Sequence, residues 1–153
     1  MIDPSDAEVY EKHCDELVRF ATMLVGPSNA EDVVADAVLR VFASPGWQSV
    51  TNRRAYLFRS VLSQASSSGR STQRRLSRER RFLRGDATDE PMLRPELLAA
   101  LRSLTVRQRA VVFMTYWLDQ TTQSTSQVLQ LSERTVQRDL EIAYRRMERH
   151  LHD

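Results

Sequence analysis

Arg134, Gln137, Arg138 and Glu141 sit close together in the stretch SERTVQRDLEIAYRRM, residues 132–147. These side chains can read base edges: arginine takes guanine bidentately, glutamine takes adenine, and glutamate accepts from cytosine. Around them Val136, Leu140, Ala143 and Met147 recur at steps of four, three and four, which is one helical stripe. The pattern suits a DNA-reading helix, and equally a surface helix of mixed charge. A second cluster, NRRAYLFRSVLSQASSSGRSTQRR at residues 52–75, sets Arg53, Arg54, Arg59, Arg70, Arg74 and Arg75 beside Tyr56 and Phe58, with Trp47 just upstream. Unpaired bases stack on rings while guanidinium groups hold phosphates, so this is chemistry suited to single-stranded nucleic acid. Phe58 and Tyr56 equally fit a helix core, and arginine runs are often simply solvated.

Other chemistry finds no support. His13 and Cys14 are neighbours on a helix and do not converge on one metal, and His150 and His152 stand at the very end of the chain. Asp3, Asp6 and Glu8 make no acid–base pair, and no phosphate-cradling glycine loop, nucleophile motif or metal spacing occurs. Neither an enzyme nor a bound cofactor or metal is expected.

The elements that must position these clusters read as helices throughout. Ser5 with Glu8 makes a capping box before a helix with Leu17, Phe20, Ala21 and Leu24 inward, and Gly26-Pro27 ends it. Ser28 with Glu31 makes a second box, opening a helix with Ala30, Val33, Val34, Ala37, Val38, Val41 and Phe42 on one side. Ser44-Pro45-Gly46 reads as a turn, and Asn52 as the cap of a helix lined by Leu57, Phe58, Val61, Leu62 and Ala65. A polar, arginine-rich linker with a helical stub near residues 74–82 follows. From Pro95 the helical pattern resumes with Leu97, Leu98, Leu101 and Leu104. Thr105 caps a helix carrying Ala110, Val111, Phe113, Met114, Trp117 and Leu118, and a short helix near residues 122–130 precedes the one capped by Ser132. The expectation is an all-α chain: a helical domain over residues 1–70, a basic linker over 71–94, and a second helical domain over 95–153.

The 153 residues carry a net charge of only +2, unevenly placed. Residues 1–44 hold nine acids and three bases, whereas residues 45–84 hold ten arginines and one glutamate. This asymmetry fits one basic and one polyanionic partner, or solvated helix faces. A single cysteine fits a reducing cytoplasm, and no apolar run is long enough to span a membrane.

The stretch QVLQLSERTVQRDL has the spacing of a helix-turn-helix, with Leu129, Leu131 and Val136 between the two helices. Its electrostatic footprint is weak, because the last 32 residues hold five bases and five acids. Four segments in order, AEDVVADAVLRVF, NRRAYLFRSVLSQA, LRSLTVRQRAVVFMTYWLD and LSERTVQRDLEIAYRRM, resemble the bacterial RNA polymerase sigma factors of the extracytoplasmic-function type. The resemblance covers nearly the whole length. It implies a region-2-like helical bundle and a region-4-like helix-turn-helix domain.

The resemblance also implies roles. Asp32, Asp36, Leu39 and Arg40 would dock on the β′ clamp helices of the polymerase core, and Trp117 would meet the β flap. Trp47, Asn52, Arg53, Arg54, Tyr56, Arg59, Ser63, Ser67, Arg70, Arg74 and Arg75 would engage the −10 element as non-template single strand, with a base flipped out near Ser63. Ser132, Arg134, Thr135, Gln137, Arg138, Glu141 and Arg145 would enter the major groove of the −35 duplex. An anti-sigma factor is a further partner the family admits. The chain departs from the family pattern at Ala35, where a glutamine is usual, and at Ser63 and Ser67, where Asn and Asp are usual. It departs again at Ser124, Thr125 and Ser126, where Glu-Ile-Ala is usual, and at Gln130, where a glycine is common. The competing reading is a degenerate sigma-like interaction module that binds polymerase or a regulator without reading DNA. A free-standing repressor would leave the first domain without a purpose.

Overall fold

The chain enters its first helix, α1 (Pro4–Val25), through Asp3, whose carboxylate accepts from the Ser5 amide at 2.9 Å. Pro4 fills the first turn, where its missing N–H costs nothing. The helix therefore begins ahead of the expected Ser5–Glu8 box. At the next boundary Gly26, with φ of 86°, closes α1 by donating to the Thr22 carbonyl and at once opens α2 (Pro27–Ala43). Only glycine takes that backbone conformation without strain. Because Pro27 already starts α2, and Gly26 lends no side-chain cap, the expected Ser28–Glu31 box is not used. Asn52 does cap α3 (Arg53–Glu79), accepting from the Ala55 amide at 3.0 Å.

This computed structural model describes residues 3–79 and 95–152, with side chains described for 3–67 and 95–150. Helix α3 runs through Gly69 to Glu79, so residues 71–79, expected to open the linker, are helical. The remainder of the expected linker lies outside the described residues. Beyond it come α4 (Pro95–Arg102), α5 (Val106–Val112), α6 (Thr122–Leu129) and α7 (Glu133–His152). Helix α5 is capped by a full Thr105–Gln108 box and continues into a π-helical turn, Phe113–Trp117. The described residues contain no strand.

Helices α1, α2 and α3 pack on one another around Leu17, Phe20, Leu24, Val34, Val41, Leu57, Phe58 and Val61, all almost fully buried. Trp47, in a short 3-10 turn, is fully buried and donates its Nε1–H to Asp6 at 2.8 Å. That bond satisfies both the indole and a carboxylate buried near the start of α1. Instead of building a wholly separate core, the second unit extends this one. Ala110, Val111, Phe113, Met114, Leu129 and Val136 belong to the same apolar cluster, and the Phe113 ring lies 5.2 Å from that of Phe20. A smaller cluster, Leu101, Leu104, Val112 and Ala143, holds α4 against α7, and Met23 of α1 touches it. Burying a side chain the size of Phe113 or Met114 stabilises by about 1.5–3 kcal/mol.

Candidate nucleic-acid and polymerase interfaces

Helix α7 starts where Ser132 Oγ accepts from the Thr135 amide at 3.0 Å. Its inner side is Val136, Leu140, Ala143 and the almost fully buried Asp139. Arg107 donates to that carboxylate through Nε at 2.7 Å and Nη2 at 3.1 Å, a two-pronged grip. The pairing raises the Arg107 guanidinium above its ordinary value. Further along, Arg146 Nη1 donates to the Ser103 carbonyl at 2.7 Å and to Gln108 Oε1 at 3.3 Å. The rotation of α7 is thus fixed at two points. Ser132, Arg134, Gln137, Arg138, Glu141 and Arg145 are all exposed on the opposite side, and Thr135 is half-buried.

The partner helix α6 carries the polar residues that depart from the family. Thr121 caps it by accepting from the Ser124 amide at 3.0 Å, and Ser124 pairs with Gln120. Ser126 returns its hydroxyl to the Gln123 carbonyl at 2.7 Å, whereas the Thr125 hydroxyl is fully buried with no partner among the described residues. Gln130 occupies the left-handed conformation, φ 53° and ψ 48°, at the turn where the family has glycine. The Leu131 amide reaches back to Ser126 at 3.0 Å and closes the end, as in a Schellman motif.

On α3 the arginines with described side chains, Arg53, Arg54 and Arg59, are all engaged. Arg54 forms an ion pair with Glu16 and its guanidinium lies 5.3 Å over the Phe58 ring. That hydrogen bonding holds the Glu16 carboxyl below its ordinary 4.5. Arg53 lies 4.9 Å over Trp47, and Arg59 lies 5.4 Å over the half-buried Tyr56. Ser60 and Ser67 turn their hydroxyls back to the carbonyls of Tyr56 and Ser63. Trp47, expected to meet the promoter, is a core residue here because its one polar atom is used inside. Asn52 is exposed and serves as a cap, and Ser63 and Ser67 are exposed. Arg70, Arg74 and Arg75 lie on α3, but their side chains are outside the described set. Tyr56, Arg59 and Ser63 fall on one face and line a cleft of about 440 Å³, whose far wall is Leu129 and Gln130 of the helix-turn-helix.

Asp32, Asp36, Leu39 and Arg40 form an exposed stripe on α2, with Leu39 56% exposed among charges. A second exposed apolar feature joins Trp117, expected at the β flap, to two tyrosines that the sequence reading did not single out. Trp117, 60% exposed, stacks on buried Phe113 at 5.9 Å, and Tyr116 meets Tyr144 of α7 edge to face at 5.9 Å. Asp139 was also missed; an acid between two members of an apolar stripe was the available signal. Arg107 and Arg109, both on α5, have different surroundings. Arg107 orients α7, while burial lowers the Arg109 guanidinium from its ordinary value and leaves its Nε without a partner among the described residues.

Residues 94–147 match the family model described as Sigma-70, region 4. This stretch is thus similar to a sigma region 4 domain, which supports a sigma-factor-like role in promoter recognition. No curated protein matches the chain. No helix among the described residues is long and apolar enough to cross a membrane, and those residues contain no group of three or more His, Cys, Asp and Glu able to hold a metal.

Proposed function

We propose that the chain is a promoter-specificity subunit that carries RNA polymerase core to promoters and assists opening of the −10 element. One observation carries this reading: Arg134, Gln137, Arg138 and Glu141 stand exposed on a helix anchored through Asp139, inside the stretch that matches sigma region 4. Helix α7 then lies in the major groove of the −35 duplex, with Ser132, Thr135 and Arg145 flanking the base-reading row. Helix α3 takes the non-template strand along Tyr56, Arg59, Ser63 and Ser67, and Arg70, Arg74 and Arg75 extend the path for phosphates. Flipping a base out costs a few kcal/mol, which stacking and phosphate contacts offset. Asn52, Arg53, Arg54 and Trp47 set the start of α3. The stripe Asp32, Asp36, Leu39 and Arg40 docks on the β′ clamp helices, and Trp117 with Tyr116 meets the β flap. An anti-sigma factor acting in the cytoplasm would compete for these same surfaces. The polymerase supplies the catalysis and this protein supplies binding free energy.

The test is transcription with purified polymerase core on a promoter library. Selective start sites are expected. Core binding without selective transcripts would instead support the interaction-module reading, which the even charge balance of the last 32 residues favours.

A further inference from the structure

Asp6 is a carboxylate only 3% exposed, on the first turn of α1, and the promoter-specificity reading gives it no task. A buried carboxylate is costly unless something donates to it. Here the donor is Trp47 Nε1–H at 2.8 Å, 41 residues further along the chain. Apolar packing has no preferred direction, whereas a hydrogen bond does, so this bond sets which way the edge of the buried indole points. Other side chains rest on that ring. The Arg53 guanidinium lies 4.9 Å over it and reaches Gln48 Oε1 at 3.4 Å. The Tyr56 ring stands 6.0 Å from the indole, and Arg59 lies 5.4 Å over Tyr56 in turn. Phe42 of α2 packs against the same indole at 5.5 Å.

We propose that Asp6 is a positioning residue for strand capture: through the Trp47 indole it holds Arg53, Tyr56 and Arg59 in the arrangement that receives the unpaired −10 strand. This rests on the promoter-specificity reading and deepens its −10 half. Asp6 and Trp47 are buried and act from behind, while Arg53, Tyr56 and Arg59 are half-buried and open to a ligand. The gain is preorganisation, because side chains already held in place lose less freedom when a strand binds. Trp47 thereby serves the −10 element without touching it.

The experiment uses holoenzyme purified after assembly from polymerase core and the full chain. Two labelled probes come from a promoter selected in the transcription library: the non-template −10 single strand and the −35 duplex. Asp6→Leu removes the acceptor at similar size. It should weaken single-strand binding by about tenfold and leave −35 duplex binding within about twofold. Asp6→Asn keeps an acceptor oxygen and should restore most of the affinity. Unchanged single-strand binding in Asp6→Leu, equal losses on both probes, or a loss in Asp6→Asn as deep as in Asp6→Leu each overturn the positioning role. Should Asp6→Leu fail to fold, Trp47→Phe removes the donor instead and keeps a ring; single-strand binding must then fall while duplex binding holds, and any other result overturns the proposal. If holoenzyme with the unsubstituted chain binds no −10 single strand, the −10 half of the promoter-specificity reading fails, and this inference with it.

Discussion

Helices α3 and α7 bring similar residues to the surface and end in opposite situations. Both carry arginines at helical spacing next to apolar stripes. On α7 the two inward ties, Arg107 to Asp139 and Arg146 to Ser103, leave Arg134, Arg138 and Arg145 free. On α3 the arginines with described side chains are themselves the ties: Arg54 grips Glu16, and Arg53 and Arg59 lie over aromatic rings. An arginine count does not distinguish the two helices. What separates them is whether a carboxylate or ring on a neighbouring element has claimed the guanidinium.

The largest effect expected from breaking this arrangement is at the junction behind α3. Phe20→Ala should cost about 3–5 kcal/mol. It should destabilise both units together, because Phe20 touches Phe58 and Phe113 alike. Denaturant unfolding followed in single-tryptophan variants, through Trp47 for the first unit and Trp117 for the second, checks this; a second unit that keeps its midpoint would show independent cores. Asp139→Asn should come next, at about 2 kcal/mol, since it leaves half-exposed Arg107 with a weaker partner. The same change should weaken −35 duplex binding in an anisotropy titration, although Asp139 does not face the DNA. Arg138→Ala should leave the folding midpoint within error and cost about 1–3 kcal/mol in binding to the preferred duplex. An unchanged preference across duplex variants would remove Arg138 from the reading surface.

Thr125→Val should stabilise by about 1 kcal/mol in the same denaturation assay, because it removes a buried hydroxyl that has no partner while keeping the shape. The smallest effect concerns the α3 ion pair, which is part-exposed and worth well under about 1 kcal/mol. Its signature is in pH. Glu16 is held below 4.5 by Arg54, so the unfolded chain takes up that proton first. The contribution is present above 4.5 and is lost as pH falls through the folded value. His13 has the same sign higher up: burial lowers it from 6.5, so stability begins to fall as pH drops below that value. Arg54→Gln should flatten the lower part of the melting-temperature profile and reduce the His13 limb without abolishing it, since burial is the larger cause of the His13 shift and the Arg54 charge a smaller one.

The helices were legible because each buries a stripe at 3.6-residue spacing, and Asn52, Thr105 and Ser132 cap as expected. Two other caps were misplaced for one reason. Proline at the first helical position moves the boundary ahead of a serine that would otherwise be the stronger signal. The exposed row on α7 was legible too, since the opposite side of its stripe must face outward. Trp47 was not: an indole near arginines suits stacking on bases, and only tertiary structure reveals the distant Asp6 that accepts its N–H. Nor was the junction between the units. Phe113 and Met114 read as the inner face of a local helix, and the sequence does not reveal that this face meets α1 and α3.

The π-helical turn after α5 also has a consequence for chain length. One extra residue lies between Phe113, which points into the core, and Leu118, whose amide returns to the Phe113 carbonyl. Wound as ordinary α-helix, the same residues would swing whatever follows by about 100°. The outward indole of Trp117 would then turn away from solvent with no change in residue types. A partner that recognises this ring is therefore reading an insertion as much as an amino acid.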